Sequence, residues 1–137
     1  MARFKATILC DFAQVRDGLL FVSSGGITRI ATASLPAHPR LYLAVIAELI
    51  PDELNIAHEL RVRVQANASA TVVARGVLAF GPHPSLLLGT QPGEAIQCPI
   101  VMDIQADLPE FGSYDIDLTL DDKPEMPLTF RVVPTPS

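Results

Sequence analysis

The chain has 137 residues, of which 49% are apolar and 18% charged, and its formal net charge is −5. This length predicts a single domain over residues 1–133 with a loose tail at 134–137, which buries roughly two-thirds of its unfolded surface. Because the ten basic residues are scattered, we exclude a nucleic-acid backbone or an anionic membrane surface as the main partner.

The first quarter of the chain predicts strands separated by glycine-rich turns. Residues 4–13 form a candidate strand, and a turn follows at 14–18. Residues 19–30 predict a strand interrupted at 23–26, where two adjacent glycines indicate either a hairpin turn or a bulge. A connector at 31–40 contains two prolines, which prevent regular ladder pairing.

Residues 41–50 form an almost uninterrupted apolar run, so the segment fits a buried helix as well as a strand buried on both faces. The alanines favour a helix, whereas valine, isoleucine and tyrosine favour a strand. Because Pro39 and Pro51 bracket the segment and the next one is clearly β, we predict a strand. Residues 58–66 alternate between apolar and charged positions, which is typical of a half-buried strand.

The next segments predict further strands with two special positions. Residues 71–80 form a strand in which Gly76 indicates a bulge, and a loop with a short apolar return follows at 81–88. Residues 94–104 form a strand in which Pro99 predicts an edge position or a bulge.

The clearest element is a hairpin over residues 111–133. Its first arm alternates Tyr114, Ile116, Leu118 and Leu120 with polar residues, and its second arm does the same around Phe130. The total of about eight strands predicts an all-β antiparallel sandwich of 7–9 strands, immunoglobulin-like or Greek-key. The turn into Tyr114 is typical of the tyrosine corner of such domains. This fold serves many unrelated functions.

A closer resemblance rests on three stretches of the sequence, which are CDFAQVRDGLLFVSSGGITRI, ELIPDELNIAHELRVRV and GSYDIDLTLDD followed by LTFRVV. They carry an Asp-aromatic-Ala opening at Asp11, Phe12 and Ala13, and a Gly-Gly-Ile bend at 25–27. This pattern resembles a family of small uncharacterised bacterial proteins. The resemblance implies a bacterial β-sandwich and brings no established activity or catalytic residues.

The cysteines and histidines predict no reactive site. Cys10 and Cys98 share the phase of apolar neighbours, so we expect buried free thiols in a reducing compartment. The chain start has no long apolar leader, which predicts a cytoplasmic protein. His38, His58 and His83 lie in or beside loops without metal-ligand spacing, and we expect them to be solvated. The SSGG segment lacks the lysine of a phosphate loop, so it is interpreted as a bend.

Two groups of charged residues are candidate binding positions. Asp121, Asp122 and Glu125, joined by acids of another loop at Asp103 and Asp107, offer oxygen ligands for calcium, against the alternative of a solvated turn.

The second group is Arg61 and Arg63 on one strand and Asp115 and Asp117 on another. They form cross-strand pairs if the two strands are neighbours, and complementary surface patches for a partner if they are not.

These observations predict a non-catalytic protein-protein interaction module, one form of which is a homo-oligomer, with no cofactor. The apolar surplus and the absence of a catalytic constellation favour this hypothesis. The alternative is a module that binds calcium or a small ligand with the acidic loop residues. We do not expect an enzyme, because Asp115 and Asp117 lie on an open sheet face where nothing separates their pKa values.

Overall fold

The computed structural model describes residues 2–125 and 127–136, which form ten strands and two short 3-10 helices. The strands are β1 (Arg3–Arg16), β2 (Leu19–Gly25), β3 (Arg29–Thr32), β4 (Leu41–Leu49), β5 (His58–Ala66), β6 (Val72–Phe80), β7 (Ile96–Ile104), β8 (Gly112–Leu120), β9 (Lys123–Pro124) and β10 (Leu128–Pro134). The 3-10 helices are Pro51–Glu53 and Pro84–Leu87. No helix in the described ranges has the length and apolar character needed to cross a membrane.

The strands form two sheets that pack face to face, which confirms the predicted all-β sandwich. The four-stranded sheet has the order β2-β1-β4-β7, and the six-stranded sheet has the order β3-β10-β8-β5-β6, with β9 paired to β8. Every pair is antiparallel except β3 with β10. The count exceeds the predicted 7–9 because β3 is separate from β2 and because the two-residue β9 lies within the last hairpin.

The order β10-β8-β5 is the order of strands G, F and C in immunoglobulin domains. The predicted tyrosine corner is also present. The Tyr114 hydroxyl donates to the Glu110 carbonyl at 2.7 Å and accepts the Glu110 N–H at 3.1 Å. These two bonds fix the turn into β8.

The main core lies between the sheets, and the alternating strands β5 and β8 form its centre. Leu60, Val62 and Val64 pair across to Leu120, Leu118 and Ile116 on the buried face. The Tyr114 ring stacks on Phe130 with ring centroids 5.3 Å apart. This burial explains why the period-of-two pattern was clear in both segments.

The segment at 41–50 is strand β4, as predicted, and both of its faces are buried. Leu43 and Val45 face the main core, whereas Ala44 belongs to a second apolar cluster with Cys10 and Ala13 on the opposite face of the same sheet. Burial on two sides explains the continuous apolar run, which helix and strand patterns share.

The glycine interruption is not the predicted hairpin turn. It has the two-donors-to-one-carbonyl hydrogen bonding of the predicted bulge, and β2 ends there. The chain leaves β2 at Gly25, crosses to the other sheet, and resumes as β3 beside β10. Gly26 has φ +84°, and both Gly26 and Ile27 donate their N–H groups to the Leu9 carbonyl. The crossing places Ile30 against the main core.

Two further boundaries concern Pro99 and the C-terminal strand. Pro99 lies in β7, an edge strand, as predicted. β10 runs to Pro134, one residue into the predicted tail, and the Thr135 N–H donates to the Thr32 carbonyl at 3.0 Å.

Candidate functional site

The hairpin of β1 and β2 continues past the point where β1 stops pairing with β4, and this two-stranded part is the arm, which we define as residues 11–24. β1 pairs with β4 only as far as Cys10, whereas it pairs with β2 as far as Arg16. The turn residues Asp17 and Gly18 both have positive φ, at 53° and 76°, as a tight two-residue hairpin requires.

The arm curls over the outer face of its own sheet. Cys10, Ala13 and Ala44 are buried there, and Leu20, Tyr42 and Val101 pack around them.

The tip of the arm contacts the second 3-10 helix. The Ser85 hydroxyl donates to the Asp17 carbonyl at 3.3 Å, and a Cβ on Gly18 would lie 2.9 Å from the Ser85 oxygen. The arm is therefore held at both its base and its tip.

Five large apolar side chains of the arm remain exposed, distributed over both of its faces. Leu19 is 61% exposed and Phe21 is 49% exposed. We define the arm patch as the exposed large apolar side chains of this hairpin, namely Phe12, Val15, Leu19, Phe21 and Val22.

Strand β2 is an edge strand without the usual protection against pairing. Its sequence LLFVSSG contains no charged residue and no proline. Natural edge strands are normally protected by lysine, proline or a covering segment, because the free backbone groups of an edge accept another strand. In the described chain β2 pairs with β1 alone, so one of its edges is open.

The four predicted interaction residues come together on the outer face of the six-stranded sheet, because β5 and β8 are neighbours. Arg63 lies opposite Asp117, and its guanidinium is 2.8 Å from that carboxylate. Arg61 pairs with Glu59 on its own strand. Asp115 accepts the Thr129 hydroxyl at 2.9 Å. Each of these four side chains thus has a polar partner within the sheet, and the Arg63–Asp117 pair is a cross-strand pair.

The predicted calcium residues are not arranged as a metal site in the described part of the chain, where no three His, Cys, Asp or Glu side chains form a metal-binding group. Both Asp121 oxygens are already used. Oδ2 lies 2.6 Å from His58 Nδ1, and Oδ1 accepts the Glu59 N–H at 2.8 Å. Asp107 instead lies 2.6 Å from His38, at a different place.

His58 is buried, at 3% exposed, which corrects the prediction of a solvated loop histidine. Its Nδ1 faces Asp121, and its Nε2 lies 2.6 Å from the Glu53 carbonyl, which only accepts hydrogen bonds. Burial by itself lowers the pKa of His58, but the hydrogen bonds to Asp121 and Glu53 outweigh it and raise the pKa above its usual value.

Both nitrogens of His58 therefore donate, and the ring is an imidazolium. It connects the start of β5 to the first 3-10 helix through Glu53 and to the turn after β8 through Asp121. A sequence signal for its burial existed, because His58 shares the phase of the buried Leu60 and Val62. The other two histidines are exposed, as predicted.

Both cysteines are buried and free, as predicted, but they lie on opposite faces of the four-stranded sheet. Cys10 belongs to the cluster under the arm, and Cys98 belongs to the main core. Burial raises the pKa of both thiols, and neighbouring Asp11 raises that of Cys10 further. Neither thiol is activated for nucleophilic chemistry.

Comparison with known proteins adds a family but no activity. A family model described as a family of unknown function matches residues 5–133. The search of curated proteins gives no match. The predicted resemblance to a family of uncharacterised proteins is therefore confirmed.

Proposed function

Since the chain belongs to DUF6941, a family of unknown function, we propose from its structure that it is a non-catalytic interaction module that associates with a second copy of itself through the arm patch. The observation that carries this proposal is the uncharged edge strand β2, whose Leu19 and Phe21 are exposed to solvent.

The geometry of an edge strand suits association between identical copies. Two β2 strands related by a two-fold axis pair in antiparallel fashion, so that residue i of one copy faces residue j of the other and j faces i, and the surface is self-complementary. Such pairing would join two four-stranded sheets into one continuous sheet of eight. Because β2 carries no charge, no like charges would meet across the axis.

The area of the arm patch fits a reversible dimer. Its five side chains are 39–61% exposed, and at roughly 150–200 Å² for each large side chain they present about 400 Å² per copy. The register places Leu19 and Phe21 on one face of the arm and Val15 and Val22 on the other, so a partner strand covers only part of this area. The interface therefore falls below about 1,200 Å², the lower limit for stable specific interfaces, and the dimer should be weak.

The proposed absence of catalysis rests on how the polar residues are used. Arg63 and Asp117 neutralise each other on an open sheet face, and the carboxylate of Asp121 is held by His58 and by a backbone N–H. These groups have structural partners, so they support a binding role better than acid-base chemistry. A calcium-binding role has less support, because it requires Asp121 to exchange these partners for the ion.

Light scattering coupled to size exclusion, over a concentration series, tests this proposal. We expect the wild-type protein to form a dimer that dissociates on dilution, and Phe21→Lys to remain monomeric with an unchanged melting temperature. Val77→Lys is the matched control, because Val77 is 59% exposed on an edge strand of the other sheet. The proposal fails if the wild type is monomeric at high micromolar concentration, or if both variants weaken the dimer equally.

A further inference from the structure

A second open edge, at β6, differs from β2 in that it borders a groove. β6 pairs only with β5 in the described chain, and none of its nine residues is fully buried. The neighbouring β5, by contrast, buries every second residue completely. The inner face of β6 is therefore only half covered by the opposite sheet.

The groove lies between the edge of β6 and the edge of β7 and has a volume of about 370 Å³. Its floor is apolar, and it includes Val62, Val64 and Leu78 from the six-stranded sheet and Met102 from the other. Arg75 lines the groove on the β6 side, and Asp103 and Gln105 line it on the β7 side. Gly76 allows the Met102 side chain to pack directly against β6, because a Cβ at this position would lie 2.9 Å from the Met102 sulfur. The groove is thus a shallow apolar slot that runs beside a free strand edge.

The rim of the groove on the β6 side carries a positive charge without an internal partner. Arg75 lies directly opposite Arg63 in the β5–β6 register, so the two like charges face the same side. Arg63 is paired with Asp117 and Arg61 with Glu59, whereas Arg75 forms no ion pair in the part of the chain that the structure describes. Like charges placed opposite each other on a sheet are destabilising.

We propose that this groove binds an extended acidic segment of another protein, which adds to β6 as an additional strand. The backbone of the segment pairs with the free edge of β6. Its alternate side chains are aliphatic and enter the slot over Gly76 and Met102. The side chains between them point outward on the side of Arg75, where a carboxylate neutralises the charge.

Three features favour a peptide strand over other ligands. A free ladder of N–H and C=O groups is satisfied by a backbone, and an aliphatic chain supplies no such groups. The slot and the rim lie on alternate faces of β6, which matches the two-residue period of a strand. Arg75 lines the groove and has no ion pair in the described part of the chain, so a carboxylate on an outward side chain of the peptide would complement it.

The predicted site is independent of the arm patch. Arg75 lies on the outer face of the six-stranded sheet, and the arm belongs to the four-stranded sheet. A substitution of Arg75 therefore leaves self-association intact, and Phe21→Lys leaves peptide binding intact. Failure of one proposal is thus distinguishable from failure of the other.

Selection from a phage-displayed library of random linear nonapeptides on the purified full chain tests the inference. We expect enriched sequences in which Asp or Glu alternates with aliphatic residues. The most enriched peptide, labelled with a fluorophore, should lose at least about tenfold in affinity with Arg75→Glu. Arg29→Glu should bind as the wild type does, because Arg29 is an exposed arginine on β3, the other edge of the same sheet.

Amide chemical shifts on peptide addition should change along β6 and spare β3. No enrichment above background, enrichment of basic or proline-rich sequences, or equal loss with both arginine variants would overturn the proposal. Tighter binding of a medium-chain fatty acid than of the enriched peptide would also overturn it, since it would make the groove a lipid site.

Discussion

Replacement of His58 by glutamine should destabilise the protein in a pH-dependent way. The imidazolium donates to the Asp121 carboxylate and to the Glu53 carbonyl, both at 2.6 Å, and it is buried against the Phe80 ring. A hydrogen bond to a charged group contributes about 1.5–3 kcal/mol and a neutral one about 1 kcal/mol. Glutamine cannot donate at both positions, so we expect a loss of about 2–4 kcal/mol near pH 6.

The pH dependence follows from the direction of the pKa shift. The pKa of His58 is raised in the folded state, so the stabilisation is fully present below the unfolded value of about 6.5 and is lost as the pH rises through the folded pKa. The stability difference between wild type and His58→Gln should therefore shrink as the pH rises above about 6.5 and through the folded-state pKa. Urea unfolding at each pH measures this difference, and a histidine NMR titration measures the pKa.

The matched control is His38→Gln. His38 lies at the same distance from Asp107 as His58 does from Asp121, but both side chains of the His38–Asp107 pair are exposed. The variant should therefore leave the unfolding free energy almost unchanged. Asp121→Asn should lower the pKa of His58 and move the loss of stability to lower pH. If His58→Gln lost the same stability above the pKa measured for His58 by NMR as it loses at pH 6, the imidazolium would not be the stabilising species.

Three shorter predictions concern other contacts. Tyr114→Phe removes both hydrogen bonds to Glu110 and should lower the unfolding free energy by about 1–2 kcal/mol in urea titrations, with the near-ultraviolet circular dichroism of the remaining aromatic residues retained. A double-mutant cycle on Arg63 and Asp117 should give a coupling of about 0.2–1 kcal/mol that falls with added salt, because the pair is exposed; a larger, salt-independent coupling would contradict this. Calcium should leave the melting temperature unchanged, since the oxygens of Asp121 are already used; a rise that saturates with calcium would reveal a site.

The sequence predicted the strands whose two faces meet different surroundings. β5 and β8 alternate between core and solvent, so their residues report the period of two directly. The tyrosine corner was also predictable, because Tyr114 and its partner are four residues apart. β4 was ambiguous for a physical reason, since the curled arm covers its second face and removes the alternation.

The candidate sites were less predictable because they depend on long-range pairing. The partner of His58 lies 63 residues away, and no local pattern identifies it. In the register of β5 and β8, Asp117 lies opposite Arg63 and pairs with it, so Asp117 does not neutralise Arg75. The exposure of Leu19 and Phe21 depends on where β4 stops pairing with β1, a boundary that is set by the sheet and not by the hairpin's own sequence.

The crossing at Gly26 also affects the order in which the strands pair during folding. In the described residues β3 pairs with β10 alone, and Arg29 lies opposite Arg131, about a hundred residues later in the chain. On the ribosome, β3 is made early and has to wait for almost all of the remaining chain before it can pair. Contacts of such long sequence separation form slowly, and strands without partners are prone to aggregation. The hairpin of β1 and β2 can close at once, so the last event of folding should be the closure of β3 on β10, which joins the first third of the chain to its final strand.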